Sequence, residues 1–316
     1  MQLNLSFRIV AAAALTLAAA CHDSTSPAPP PVISFDAAHA RARVEPLAKI
    51  FDQQIFTSFQ GALSTIEPYF RSGGSIPDSV KGKTFVYDLA SQSYVIDPTA
   101  GGVPAGEVRF VLYAWESGSG RPATPLTRAG HVDLADVSTG ATAPRQVEIF
   151  IARESPFLGV ADFVVMHNVV NGVSQFGIEG SATDGFTVGI VDLEGTESGA
   201  PGAHHLVYNV SLTTSPADVS AAEQLVYDQP TASQSGNLAL LYDGHTFSDQ
   251  SVANGTELKY DGSLYARVLF PTNPQDPLRY LRPDGTPLTA DEITNVNGLL
   301  ERVTVTNFFW INLAWP

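Results

Sequence analysis

From residue 84 onward the chain alternates apolar and polar side chains in short runs, and clusters of Gly, Pro, Asn and Asp break those runs at hairpin-like intervals. A period of two sends alternate side chains to opposite faces of a strand. Parallel pairing needs a crossover of about a dozen residues or more, usually helical, and no helical pattern of that length lies between the runs. The expected arrangement is therefore an antiparallel, mostly meandering sheet. Strands are expected at 84–87, 93–97, 107–115, 130–135, 146–152, 162–169, 174–178, 186–193, 204–212, 224–227, 238–242, 257–260, 264–270 and 303–313. Composition agrees: 44% hydrophobic is ordinary, 16% charged is low, and 26 Gly and 22 Pro supply turns. That hydrophobic content excludes a disordered chain, and a single cysteine excludes an intrachain disulfide.

Two segments depart from the period of two. Between residues 36 and 66, Leu47, Ile50, Phe51, Ile55, Phe59, Leu63 and Ile66 recur at helical spacing and share one face. Pro46 either begins this long amphipathic helix or kinks it. Its polar face (Asp52, Gln53, Gln54, Ser58, Gln60) lacks the basic residues of bilayer-lying helices, so packing on the sheet is expected. Near the C-terminus, Thr289-Ala-Asp-Glu292 has capping-box spacing, with Leu288 and Ile293 placed as a hydrophobic staple. A short helix carrying Ile293, Val296, Leu299 and Leu300 should follow, and then a final strand. The fold class is mainly β: an antiparallel curled sheet, or a two-sheet sandwich or half-barrel, with a long N-terminal helix and a short C-terminal one.

Face assignment is informative along 204–212. Leu206, Tyr208, Val210 and Leu212 share an apolar face, while His205, Asn209 and Ser211 share the other with Val207. In the final run, Val303, Val305, Phe309, Ile311 and Leu313 share one face; Thr304, Thr306, Phe308 and Trp310 share the other. A phrase also recurs: Phe85-Val-Tyr-Asp, Leu206-Val-Tyr-Asn, Leu225-Val-Tyr-Asp, Leu240-Leu-Tyr-Asp and Leu258-Lys-Tyr-Asp. Its irregular spacing points to hairpins that end alike, with Asp or Asn opening the turn.

The first twenty residues form an address. Arg8 precedes an unbroken apolar run from Ile9 to Ala20, which on a helix rises about 18 Å. A hydrocarbon core needs about 30 Å, so the segment reads as a secretory signal peptide at 1–20 rather than a membrane span. Leu17-Ala18-Ala19-Ala20-Cys21 resembles the bacterial lipobox, with Leu four rather than three residues before the cysteine. That resemblance implies cleavage before Cys21 and acylation of its sulfur and new amino group. An ordinary signal cut at Ala20, leaving a free thiol, is the alternative. Two or more acyl chains anchor stably where one does not. His22 and Asp23 follow, and the lipoprotein resemblance implies outer-membrane sorting. Residues 21–35 are expected to be a lipidated cysteine and a Pro/Ser-rich spacer, and 36–316 a single mainly-β domain.

Charge and motifs narrow the function. Lys plus Arg is 17 against 32 Asp plus Glu, a net of −15, and removing the signal takes away one more positive charge. Nucleic acid is thereby excluded as a partner. Serine-hydrolase elbow, Ser-x-x-Lys, zinc-protease, phosphate-loop and calcium-loop patterns are missing. His131 and Asp133 share a strand face as a base-and-orienter or metal pair. His204 and His205 point to opposite faces, His167 sits in an apolar strand, and Asp243-Gly244-His245 occupies a turn. None of these is assigned as a catalytic, cofactor or metal site. Helix followed by many antiparallel strands resembles the unclosed-barrel lipoprotein carriers in architecture alone. The function expected is non-enzymatic: binding or carriage of an apolar ligand or an envelope partner, at the bilayer through acylated Cys21. A hydrolase with dispersed residues and a passive structural or adhesion protein are the alternatives.

Overall fold

The computed structural model describes residues 33–314, apart from 71–75, 117–120, 141–143, 155–156, 200–204, 230, 232 and 274. The expected signal peptide, Cys21 and most of the spacer lie outside the described residues, as do His204 and the side chains of 305–314.

The N-terminal apolar stripe forms two helices, α1 (Ala37–Phe51) and α2 (Gln54–Ile66), rather than one. Asp36 caps α1 by accepting from the His39 N–H at 2.9 Å, which satisfies a donor that the first turn leaves open. Pro46 lies inside α1, and the break falls later, where Gln53 turns extended. The Gln53 amide holds that break by donating to the carbonyls of Ile50 at 2.8 Å and Thr183 at 2.9 Å. Val44, Leu47, Ile50, Ile55, Phe59 and Ile66 are all buried, so the stripe faces the core as its spacing requires.

Fifteen strands follow: β1 (Lys83–Asp88), β2 (Ser93–Asp97), β3 (Glu107–Tyr113), β4 (Arg128–Asp136), β5 (Arg145–Glu154), β6 (Phe157–Val170), β7 (Val173–Thr183) and β8 (Val188–Ser198), then β9 (His205–Ser215), β10 (Val219–Asp228), β11 (Ser233–Tyr242), β12 (His245–Val252), β13 (Gly255–Tyr260), β14 (Ser263–Leu269) and β15 (Arg279–Leu281). They form one sheet in the order β15-β14-β13-β12-β11-β10-β9-β8-β7-β6-β5-β4-β3-β1-β2. A two-sheet sandwich is therefore excluded. From β3 to β15 each strand pairs antiparallel with the next. The one departure from an all-antiparallel sheet is β1 beside β3, which is parallel because β2 and the loop after it carry the chain across β1. The sheet is mixed for that reason, and it is not closed into a barrel, since β2 and β15 end it on opposite sides.

Register explains which face is buried. Leu134, Ile149, Phe163, Gly180, Val191, Leu212, Ala221, Leu240 and Phe247 stand opposite one another in a single row from β4 to β12. All but the glycine belong to the buried core, and each large side chain removed from water contributes about 1.5–3 kcal/mol. Gly180 is required there because a Cβ would run into Phe163 and the Asp162 carbonyl. The helices pack on this face: α1 meets β8, β10 and β11, while α2 meets β3 and β4.

The C-terminal expectation needs the largest correction. Instead of a short helix and a strand at 303–313, one helix, α3 (Ala290–Ala314), covers both. Val303, the first residue of the run that reads as a strand, continues the helical spacing of Val296 and Leu299, and all three are buried. No Gly, Pro, Asn or Asp separates Leu300 from Val303, so nothing stops the helix. Arg302 then ties α3 to α1 through Glu45 at 3.6 Å and to Asp52 at 3.2 Å. No helix among the described residues is long and apolar enough to cross a membrane.

The start of α3 follows its sequence signal. The Thr289 N–H donates to Glu292 Oε2 at 2.8 Å, and the Glu292 N–H donates back to Thr289 Oγ1 at 3.3 Å. Arg282 Nη2 adds a charged donor at 2.7 Å. Partial burial pushes the Glu292 pKa up, but the Thr289 N–H, Arg282 and the Thr289 hydroxyl pull it down to about 2. This stabilisation is complete above the ordinary pKa of 4.5 and is lost as pH falls toward the folded value. A Glu292→Gln variant is expected to lose about 1–2 kcal/mol at neutral pH. Urea midpoints of variant and wild type should converge between about pH 6 and about pH 2.5; a gap that stays constant would contradict this role.

Candidate functional site

The residues flagged by sequence chemistry do not assemble. Asp133 is buried in β4 and bound by Arg109 from β3, with Nε to Oδ1 and Nη2 to Oδ2 both at 2.6 Å. His131 lies on the same face, but its Nε2 is 3.7 Å from Asp133 Oδ2, beyond a hydrogen bond. Burial lowers the His131 pKa and the Arg109 charge lowers it further, outweighing Asp133 and Glu154. Both Asp133 oxygens are taken up by Arg109 and the imidazole lies beyond hydrogen-bond distance, so the pair is not arranged as a base and its orienter.

His205 is the exposed first residue of β9, while His167, His245 and His39 are engaged locally. His167 shares a 2.9 Å hydrogen bond with the Ser174 hydroxyl, and burial lowers its pKa, as suits a satisfied strand histidine. His245 Nδ1 lies 2.8 Å from Asp261 across the β11–β12 and β13–β14 turns. His39 and Arg43 of α1 both reach Asp243, at 2.9 and 2.7 Å, fastening the helix to the β11–β12 turn. His131 and His245 sit on strands far apart in the sheet order, on β4 and β12. Among the described residues, no three His, Cys, Asp or Glu side chains come together as a metal site.

A recess lies on the face away from the helices. Register places Glu194, Asn209, Gln224, Asn237 and Gln250 directly opposite one another from β8 to β12. The neighbouring row on the same face is Asp192, Ser211, Ala222, Ala239 and Ser248. Short side chains in one row beside long amides in the next leave a trough across the strands. Its volume is about 460 Å³, and both rows line it. A second recess of about 440 Å³ shares Glu194 and Asn209 with the first and extends the depression toward Gln175 and Asn168.

The amides are poised rather than consumed. Gln224 Nε2 donates to Asn209 Oδ1 at 3.0 Å, which orients both groups and uses one polar atom of each amide. Gln250 accepts from Lys259 at 2.9 Å. On the trough face the first recess carries two carboxylates, Asp192 and Glu194, and no Lys, Arg or His lines it; Glu223 and Asp249 border it too, but register sets their side chains on the opposite, helix-facing side with Leu193, Val210 and Leu238. Asp249 accepts from the Leu238 N–H at 2.8 Å, yet burial holds its pKa above the usual carboxylate range. The site is thus acidic, hydroxyl- and amide-lined, and open.

Sequence reasoning found half of this site without recognising it. The alternation along 204–212 correctly sends Asn209 and Ser211 to the face opposite Leu206 and Leu212. The recurring phrase, however, casts Asn209 as a turn opener. That role holds for Asp88 and Asp228, which end β1 and β10, and for Asp243 and Asp261, which directly follow β11 and β13, whereas Asn209 lies inside β9. The tell-tale signal was the continued alternation past Asn209 to Leu212.

No family model, curated protein or solved structure matches the chain.

Proposed function

We propose that this chain is a lipid-anchored protein of the bacterial cell envelope, with the outer membrane favoured, that acts by binding rather than by catalysis. The polar trough on the open sheet face is its binding surface. The observation that carries this reading is the aligned row of Asn209, Gln224, Asn237 and Gln250 beside a floor of small residues. A solvated face needs polar residues, but it does not need them sorted by size into adjacent rows. The helix-facing side of the sheet is occupied by Leu47, Ile50, Phe59 and Ile66, all buried. With the recess lined by amides and carboxylates, an envelope partner is favoured over an apolar cargo.

Anchoring rests on Cys21 at the end of the apolar leader, the one cysteine in 316 residues. The test is metabolic labelling with a fatty-acid probe. Wild-type protein should incorporate label and stay with membranes, whereas Cys21→Ser should lose the label and the membrane retention together. An unlabelled wild type, or a Cys21→Ser variant that remains membrane-bound, would count against anchoring. Neither result bears on the trough.

A further inference from the structure

We propose that the trough binds an uncharged, linear polyhydroxylated chain, a neutral oligosaccharide, laid across strands β8 to β12. The inference deepens the reading of this face as the binding surface and rests on it.

The chemistry of the lining selects the ligand class by elimination and by match. An anionic polymer would bring its charges against Asp192 and Glu194, with no Lys, Arg or His in the lining to receive them, and Lys259 at the Gln250 end is already paired with Glu257 at 3.6 Å. An apolar chain would take water from the amide row without replacing its hydrogen bonds. An extended peptide gains most by adding to a sheet edge, whereas the trough crosses the middle of the sheet, where each strand already has two neighbours. A sugar hydroxyl both donates and accepts, as do the side-chain amides of Asn209, Gln224 and Asn237, so the two sets satisfy one another in either sense. The carboxylates add strong acceptors for hydroxyl donors.

Geometry supplies the length. Strands repeat about every 4.8 Å, so the row from β8 to β12 runs about 19 Å, room for a short oligosaccharide. The floor of Ser211, Ala222, Ala239 and Ser248 lets a ring approach the sheet beside the amide wall. Gln224 is held by its bond to Asn209, so part of the wall is ordered before a ligand arrives.

The test is calorimetric titration of the full-length protein in detergent with cellohexaose and chitohexaose, both uncharged, and with hexalysine and dextran sulfate as charged probes. Asn209→Ala, Gln224→Ala and Asn237→Ala alter exposed or half-exposed side chains, and an unchanged thermal midpoint verifies that each variant folds. The expected result is binding of at least one neutral hexasaccharide, weakened about three- to tenfold by each variant. Raising salt from about 0.05 to about 0.5 M should change that affinity less than about twofold, because no ion pair is involved. Absence of binding to both neutral hexasaccharides overturns the proposal, as does binding that the three variants leave untouched. Binding of hexalysine alone, suppressed by salt and weakened by Asp192→Asn or Glu194→Gln, overturns the ligand class while keeping this face as the binding surface.

Discussion

An Arg109→Met variant is expected to lose about 3 kcal/mol or more of stability, although Arg109 touches no proposed ligand. Arg109 and Asp133 face each other across β3 and β4 in a bidentate pair, with side-chain exposures of 23% and 9%. Removing the guanidinium strands a carboxylate in a place where water reaches it poorly, and the cost is that of an uncompensated charge rather than one lost contact. The double variant Arg109→Met/Asp133→Leu removes both charges and should recover most of the loss. Urea unfolding of the two single variants and the double variant gives the coupling directly. A double variant no better than Arg109→Met would mean that the pair contributes through packing, contrary to this account.

Gly130→Val should cost about 2–3 kcal/mol for a different reason. Gly130 lies where β4 meets both β5 and the first turn of α2. A Cβ there would strike the Ala152 carbonyl oxygen, and it would come within 2.7 Å of Ile55 Cδ1 and 2.9 Å of the Arg153 Cα. Two of those three atoms are backbone, so relief requires moving a strand or lifting the helix, and both disturb the buried row. Gly140 is the control, because nothing lies within 4 Å of a Cβ built there. Gly140→Ala should fall within about 0.5 kcal/mol of wild type. Equal midpoints for Gly130→Val and Gly140→Ala would mean that helix and sheet are not in close contact at this point.

Sequence patterns fail here where register decides. The period of two located most of the meander, because each strand there alternates several buried and exposed residues. It missed β12, whose only deeply buried apolar side chain is Phe247, and β15, which has three residues. It misread 303–313 because β-branched and aromatic residues favour strands locally, whereas burial of Val296, Leu299 and Val303 against the fold favours a helix. Short polar signals fared well where they are self-contained: Thr289 and Glu292 make the capping box their spacing implies. The trough was not legible, because Ser211, Ala222, Ala239 and Ser248 are scattered in sequence and become one floor only through cross-strand pairing. Each residue alone reads as an ordinary exposed strand position.

The helices occupy one face of the sheet, and the proposed ligand belongs on the polar row of the other. Backbone chemical-shift mapping of the full-length protein in detergent, titrated with whichever neutral hexasaccharide binds, tests this most directly. Shifts are expected to centre on Asn209, Gln224, Asn237 and Gln250 and on the floor beside them, with α1 and α2 unaffected. Shifts centred on the helices or on the β1–β2 margin, with that row silent, would contradict it.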